Sequence, residues 1–433
     1  MMNKTIFLSI SMILLMALPI RAEKYDLERF LDLVEQNSKD LKLAEQDVHI
    51  AATEKKLAVS GALPKLSAAA GYTRNLADMY MYVDLGEGTA KLPITRNNEY
   101  SANVVLSQTL FNGAVYNAIR AAREYRQLTD YVYDASYQEI MTYAKKAFYQ
   151  ALLLKTVWDV SRASEQNAHE NYDDVKKAYD LGLASEFQLL QADVRFKDYI
   201  PRTTEAKKNY NVALINLKNM AGIPINIDME LDGRLDDYPE LPETVKIETV
   251  LNRRPDFNAL LWEEKLRSTN VKAERASYLP TLAGSLTYAY SAQSDEWRLD
   301  DENNGLMLGL NLSLPIFTGG ATSAKVQKAQ IERDKTRIEI DRSKQNIERE
   351  LESVRLRLQE AHKRILYAEA AMKTAQKAFD IAEATSDAGL TTQLELKDSR
   401  IVLDNATTGY YAAVYEYLEA YFDWEKATGR IVQ

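Results

Sequence analysis

The chain contains no cysteine, so disulfide staples, thiolate metal sites and cysteine nucleophiles are excluded. The same absence removes the acylable residue that anchors a bacterial lipoprotein. Histidine is nearly missing: His49, His169 and His362 stand far apart and read as surface helix residues rather than ligands. No GxxxxGK, HExxH or GxSxG pattern occurs, so no enzymatic activity, metal or cofactor is expected. There is no excess of positive charge either. Lys and Arg number 54 against 63 acids, dispersed along the chain, which leaves no basic stripe for nucleic acid. Beyond residue 22 no apolar run approaches the ~20 residues of a membrane-spanning helix. Proline is absent from 112 to 181 and from 318 to 388, and within those stretches glycine stands only at 113, 319 and 320.

What is present begins with an address. Lys4, the apolar run Ile6 to Ile20 and the small-residue site ending at Ala22 have the form of a secretory signal peptide over residues 1–22. An exported chain without a spanning helix can cross a membrane only with strands. Four segments have the matching pattern, at about 65–74, 99–110, 281–291 and 305–315. Leu306, Leu308, Leu310, Leu312 and Leu314 share one face while Met307, Gly309, Asn311 and Ser313 share the other. Leu282, Leu286, Tyr288 and Tyr290 likewise oppose Ser285, Thr287 and Ser291. One such strand would suit a half-buried soluble sheet; four of them, nine to eleven residues long on an exported chain, suit a transmembrane barrel. The connections 73–99, with "DLGEGTAKLP", and 291–305 read as polar external loops.

The stretches without proline are expected to be helices over 112–181 and 318–388, each ~70 residues and roughly 105 Å long. Their far halves carry heptads. One runs from Ile347 through Leu351, Val354, Leu358, Ala361 and Ile365 to Ala382; the other runs from Ile140 through Ala144, Ala147, Ala151, Leu154 and Trp158 to Val175. Sustained heptads mean coiled-coil packing against partner helices. The two lists correspond at a constant offset of 207 residues, as do the strand-to-helix junctions "TLFNG" and "PIFTGG" to within a residue. The chain therefore reads as two structural repeats, 23–222 and 254–433, joined by a connecting segment over 223–253.

Each long helix ends in a matched turn, "YDLGLASEFQ" and "SDAGLTTQLE", which puts Gly182 on Gly389, Leu183 on Leu390 and Ser185 on Thr392. Glycine ends one helix and a hydroxyl caps the next; Gln188 and Glu395 stand at capping-box spacing. Leu183 and Leu390 are apolar residues with no core near them in the pattern, which suggests a partner at these tips. Pro201 interrupts the first returning helix, where its counterpart is Thr408, and is expected to kink it or end its hydrogen bonding locally.

The "LPKL" and "LPTL" strand openings, the "TLFNG" and "PIFTGG" junctions and the "GLAS" and "GLTT" turns, in this order and in twin halves, resemble the TolC-type outer-membrane efflux proteins. The resemblance implies a mainly α fold with a transmembrane β-barrel portion, in which each repeat is helix, strand, strand, long helix, turn and helix. Three chains form a 12-stranded barrel in outer-membrane lipid, continued by an α-helical coiled-coil tunnel in the periplasm. It implies a passive exit duct in the bacterial outer membrane, working as a homotrimer with a periplasmic adaptor and an inner-membrane pump. Gly182, Leu183, Ser185, Gly389, Leu390 and Thr392 would meet the adaptor, and Glu395 and Asp398 would form acidic rings at the periplasmic aperture. Glu395 has a second reading as a capping-box partner of Thr392. The first repeat carries Gln188 and Gln191 at the matching positions, so any ring belongs to the second repeat alone. The alternative function is an exported structural coiled coil without a pore.

Overall fold

The structure, a computed structural model, describes residues 23–84, 86, 88–387 and 392–430. The segment read as a signal peptide lies outside them. Among the described residues the elements follow as β1 (Glu23–Tyr25), α1 (Leu27–Asn37), α2 (Lys39–Ser60), β2 (Lys65–Arg74), β3 (Tyr80–Asp84), β4 (Thr89–Pro93), β5 (Asn98–Phe111), α3 (Gly113–Asp180), α4 (Glu186–Ala221) and β6 (Met229–Leu231). They continue as α5 (Ile247–Arg253), α6 (Pro255–Ala276), β7 (Thr281–Ser294), β8 (Asn303–Ser313), α7 (Ala321–Asp387) and α8 (Gln393–Ala427). No helix among these residues is long and apolar enough to cross a membrane.

The chain divides into two compact units. One, made of Leu43–Ser136 and Lys246–Arg349, holds a four-stranded antiparallel sheet in the order β2-β5-β7-β8. Its register aligns the alternating sequence patterns. Leu66 pairs with Leu106, Leu106 with Leu286 and Leu286 with Leu308, so one row across the sheet is leucine in every strand. The next row on that face is Ala68, Val104, Tyr288 and Leu306. On the other face Gly71, Ser101, Ser291 and Asn303 stand in line, as do Lys65, Ser107, Ser285 and Gly309. Side chains alternate with a period of two, so this register keeps apolar groups together on one side. The leucines of that row are 38–79 % exposed. Leu314, expected on the same face, falls beyond the end of β8.

The helices of this unit follow the strand order. Arg126 on α3 donates to the Val48 carbonyl of α2, Asn117 on α3 donates to the Lys272 carbonyl of α6, and Arg337 on α7 pairs with Glu264 of α6 at 2.9 Å. The sequence of neighbours is thus α2, α3, α6, α7.

The stretch 73–99, expected as a plain loop, contains the β3–β4 hairpin instead, with Tyr80 opposite Pro93 and the Lys91 ammonium 3.7 Å from the centre of the Tyr80 ring. Alternation was present in "YMYVD", but the neighbouring glycines and acids masked it. At the same end Asn98 is fully buried. Its amide oxygen accepts from the Tyr72 hydroxyl and Arg74, and its nitrogen donates to the Ser294 and Glu296 carbonyls. The four partners of this buried amide come from β2, the last residue of β7 and the bend just after it, which ties these segments together.

The two similar strand-to-helix junctions are built differently. At the first, Asn112 accepts from the Ala114 amide at 2.9 Å and α3 starts at once with Gly113. A Cβ on Gly113 would lie 2.9 Å from the Ala276 Cβ, so close helix approach demands glycine there. At the second, Gly319 and Gly320 have φ of +62° and +83° with open space around both, and α7 begins only at Ala321 rather than at 318. Here backbone conformation demands glycine.

The other unit comprises the chain up to Lys42, Tyr137–Val245 and Glu350 onward. It opens with the parallel pair β1–β6, in which Tyr25 lies opposite Leu231. Neither three-residue strand has enough length to show alternation in sequence. The heptads supply the core: Val354, Leu358, Ala361 and Ile365 of α7 and Ala144 and Ala151 of α3 are buried together with Phe30, Phe148, Leu217, Val414 and Tyr417. The Tyr417 hydroxyl donates to the Pro239 carbonyl at 2.8 Å, and burial pushes its pKa up to about 12. Lys145, which the heptad flank carries inward, pairs with Glu425 at 2.9 Å. Pro201 lies inside α4, and the helix continues through it to Ala221.

Substitution should separate the two glycine requirements. Gly320→Ala is expected to cost about 1–2 kcal/mol through left-handed strain, while Gly320→Asn costs less. Gly113→Ala should destabilise through contact with Ala276 and be rescued by Ala276→Gly, which does nothing for Gly320→Ala. Thermal unfolding of the three single and two double variants checks this.

Candidate aperture and docking site

The first tip turn is fully described. The Leu183 amide donates to the Ala178 carbonyl at 2.7 Å and the Gly182 amide to the Tyr179 carbonyl at 2.9 Å, with Gly182 at φ +74°. This is a Schellman end, which needs a left-handed residue just past the helix. Nothing lies within 4 Å of a Cβ on Gly182, so the dihedral angle alone requires glycine. Ser185 then caps α4: its hydroxyl accepts from the Gln188 amide at 3.3 Å, and Gln188 accepts from the Ser185 amide at 2.8 Å. Between these two devices Leu183 is left 80 % exposed.

At the second tip Gly389 and Leu390 lie outside the described residues. Thr392 caps α8, with its hydroxyl accepting from the Glu395 amide at 3.3 Å. Glu395 completes the box, accepting from the Thr392 amide at 3.0 Å and hydroxyl at 3.1 Å. The backbone amide, then the hydroxyl, of Thr392 hold the Glu395 carboxyl below its usual pKa. Asp398, one turn on, takes no part in the cap; both acids are exposed, while Leu396 turns inward against Phe379 and Leu403. The helix therefore presents Glu395 and Asp398 on its solvent side, one of them held ionised by the cap.

Beside this lies a polar cluster the sequence reading missed. Ser164 of α3 is 2 % exposed and donates to Asp404 of α8 at 2.6 Å. Asp404 accepts from Arg400 at 3.0 Å, Arg400 also reaches Ser164 at 3.3 Å, and its guanidinium lies 5.1 Å from the centre of the Phe379 ring. With its amide oriented to satisfy both ends, Asn167 accepts from Arg400 at 2.7 Å and donates to the Ala163 carbonyl. Burial lowers the pKa of the neighbouring Arg195 guanidinium. A signal existed: polar Ser161 and Glu165 interrupt the first heptad where the second has Ala368 and Met372. A groove of about 520 Å³ next to the cluster is lined by Phe187, Leu190, Val194, Lys397 and Ile401 among others. No group of acids and histidines among the described residues could hold a metal ion.

Among the described residues, then, the chain combines capped long helices with a four-stranded antiparallel sheet that is apolar on one face. The family model for outer membrane efflux proteins matches residues 30–223 and 247–430, and the chain belongs to that family. It is 24 % identical over 243 residues to the alkaline protease secretion protein AprF of Pseudomonas aeruginosa, a match covering 55 % of this chain and 50 % of that protein. It is 23 % identical over 256 residues to the outer membrane protein TolC of Salmonella enteritidis, covering 54 % of this chain and 49 % of TolC. The chain thus spans about half the length of the curated relatives it matches. Among solved structures, the Campylobacter jejuni CmeC outer membrane channel superposes with a TM-score of 0.78 at 19 % identity, over 93 % of this chain and 85 % of that one.

The cap geometry has a testable pH sign. Because the folded pKa of Glu395 is depressed, its stabilising contribution is complete above the unfolded carboxylate range and is lost as pH falls through the lower folded value. Thr392→Ala should cost about 1 kcal/mol locally, and Glu395→Ala should imitate it, whereas Glu395→Gln should keep the box as Gln188 does. Amide exchange in the first turn of α8 is the measurement; it should quicken in both Ala variants and stay slow in the Gln variant.

Proposed function

We propose that this chain is the outer-membrane exit duct of a tripartite efflux or secretion system, built as a homotrimer. The observation that carries the reading is the sheet. Its apolar face, with leucine across every strand, suits lipid, and its small-polar face suits a water-filled lumen. Four strands with two unpaired edges cannot stand alone in lipid, and three chains would supply twelve strands and leave no edge. Residues 1–22 direct export, and the repeats 23–222 and 254–433 each contribute two strands and one long helix to the wall. Family membership and the CmeC-like fold support this reading.

The tips face the periplasm. Gly182, Leu183 and Ser185, with Gly389, Leu390 and Thr392, meet the helical hairpin of an adaptor, which links the duct to an inner-membrane pump. The pump supplies the energy. Glu395 and Asp398 from three copies gather at the entrance as a negative constriction that favours cations, and the cap that holds Glu395 ionised serves both purposes.

Three measurements test this. The parent should extract with outer membranes and run as a heat-sensitive oligomer; release by salt or urea, or a stable folded monomer in detergent, would identify a poreless coiled-coil rod instead. Glu395→Gln with Asp398→Asn should weaken cation selectivity and block by multivalent cations in single-channel recordings without lowering assembly. Leu183→Asp with Leu390→Asp should abolish export while leaving membrane insertion intact, and unchanged export would remove the tips from the docking surface.

A further inference from the structure

The groove of about 520 Å³ beside the polar cluster runs between α4 and α8. Its volume is that of a small-molecule site, about 300–1,000 Å³. One rim is Phe187, Leu190 and Val194, three and then four residues apart on α4; the other is Leu394 and Ile401, seven apart on α8. Phe187, Leu190, Val194 and Leu394 are 55–68 % exposed, so these rims are apolar surface without a cover in the chain. The two helices bury other faces, at Ala192, Tyr199 and Ala206 on α4 and at Leu403 and Tyr410 on α8. At 3.6 residues per turn, Arg195 and Lys397 fall between the buried stripe and the apolar stripe of their helices. Both are half-buried, and they form the floor of the groove.

The floor carries positive charge that the chain leaves unanswered. The Arg195 Nε is buried without a hydrogen-bond partner. Asp198, three residues on, is taken by Arg202 at 2.8 Å. Asp404 is taken by Arg400 at 3.0 Å and by Ser164 at 2.6 Å. Asp404 and Asp398 attract the Arg195 guanidinium through space, while Arg400 repels it. Lys397 brings a second cation to the lining, where Asp198 is the one carboxylate among the described residues and is already paired. A desolvated guanidinium with an unmet N–H costs stability that a bound acceptor restores.

We propose that this groove binds a small amphiphilic organic acid, with its carboxylate or sulfonate on Arg195 and Lys397 and its apolar body between the rims of α4 and α8. The planar fork of arginine suits two parallel hydrogen bonds to such a head group, and lysine adds a point charge. An inorganic anion would leave the rims in water, and a neutral hydrocarbon would leave Arg195 unmet; an acid with an apolar body answers both. A helix from a protein partner is too large, since two turns ~10 Å across occupy roughly 850 Å³. Every residue of the site belongs to one chain, so the inference stands apart from the duct reading.

The probe that tests it is 4-benzoylbenzoate, a photoreactive two-ring carboxylate, applied to the purified full chain in bilayer discs of zwitterionic lipid. Peptide mass spectrometry should place saturable adducts within residues 187–194 and 394–401, and laurate should compete for them. The analogue with the same two rings and a trimethylammonium head should label the groove at least about tenfold less. This comparison needs only the parent chain. Arg195→Gln should lower labelling by the carboxylate at least about tenfold and Lys397→Gln at least about threefold. Lys197→Gln, which removes a lysine paired with Asp193 outside the groove, should leave labelling unchanged. The carboxylate should raise the Tm of the parent and leave that of Arg195→Gln where it was. Equal labelling by the two probes, or full labelling of Arg195→Gln, would reduce the groove to a plain apolar surface and overturn the site. Absence of saturable adducts in the parent would overturn it too, because another chain would then cover the groove.

Discussion

A β-strand in hydrocarbon must have every backbone N–H and C=O bonded, because no water is there to take their place. The sheet β2-β5-β7-β8 meets that demand at its three internal seams, and in the proposed barrel neighbouring chains pair the edges β2 and β8. Much of the molecule follows from this. The register that pairs Leu66, Leu106, Leu286 and Leu308 keeps one face suited to lipid. Each strand leads to or from a helix beside its neighbour's helix, so the helices inherit the same order and the same two open edges. In the proposed assembly the unmet bonds at the sheet edges make the oligomer obligatory.

The helices of the other unit are held by different means. Phe30, Phe148, Leu217, Tyr417 and the heptad residues of α3 and α7 form one core, in which apolar burial dominates. Toward the tips the apolar core thins to Ala375, Phe379 and Leu403, and polar contacts among Ser164, Arg400, Asp404 and Asn167 take over. Helix ends there rely on local bonds: a Schellman end at Gly182 and capping boxes at Ser185 and Thr392. Such bonds fix the turn without an apolar base beneath it, which leaves Leu183 and the Glu395–Asp398 face available to solvent and partners. A region held by short-range bonds is also easier to open than a packed core, a property that would suit the proposed entrance.

In the proposed aperture one group, Glu395, answers two demands. An acid at the third helical position is favoured by the Thr392 amide and by the helix dipole, so its charge is maintained without any neighbouring cation. The counterpart Gln188 caps equally well without charge. The two capping boxes therefore differ in charge rather than in hydrogen-bond pattern.

Periodicity determined a good deal of this protein before any coordinates. Alternation over Leu306 to Leu312 and over Leu282 to Tyr290 marks strands, and a 4-3 spacing from Ile347 to Phe379 marks the buried stripe of α7, because both patterns report which side of a regular backbone meets apolar surroundings. Gly182 with Ser185, and Thr392 with Glu395, were legible because caps use residues adjacent in sequence. The tertiary structure alone decided what depends on distant residues. Nothing in "TLFNG" and "PIFTGG" distinguishes a glycine needed for contact with Ala276 from glycines needed for positive φ. The parallel pair β1–β6 joins strands some 200 residues apart and too short for a pattern. Ser164, Arg400 and Asp404 look like scattered polar residues until two helices, α3 and α8, bring them together. Local periodicity is carried by the chain itself; which faces meet, and which are left open for another molecule, is settled only when the helices and strands are placed side by side.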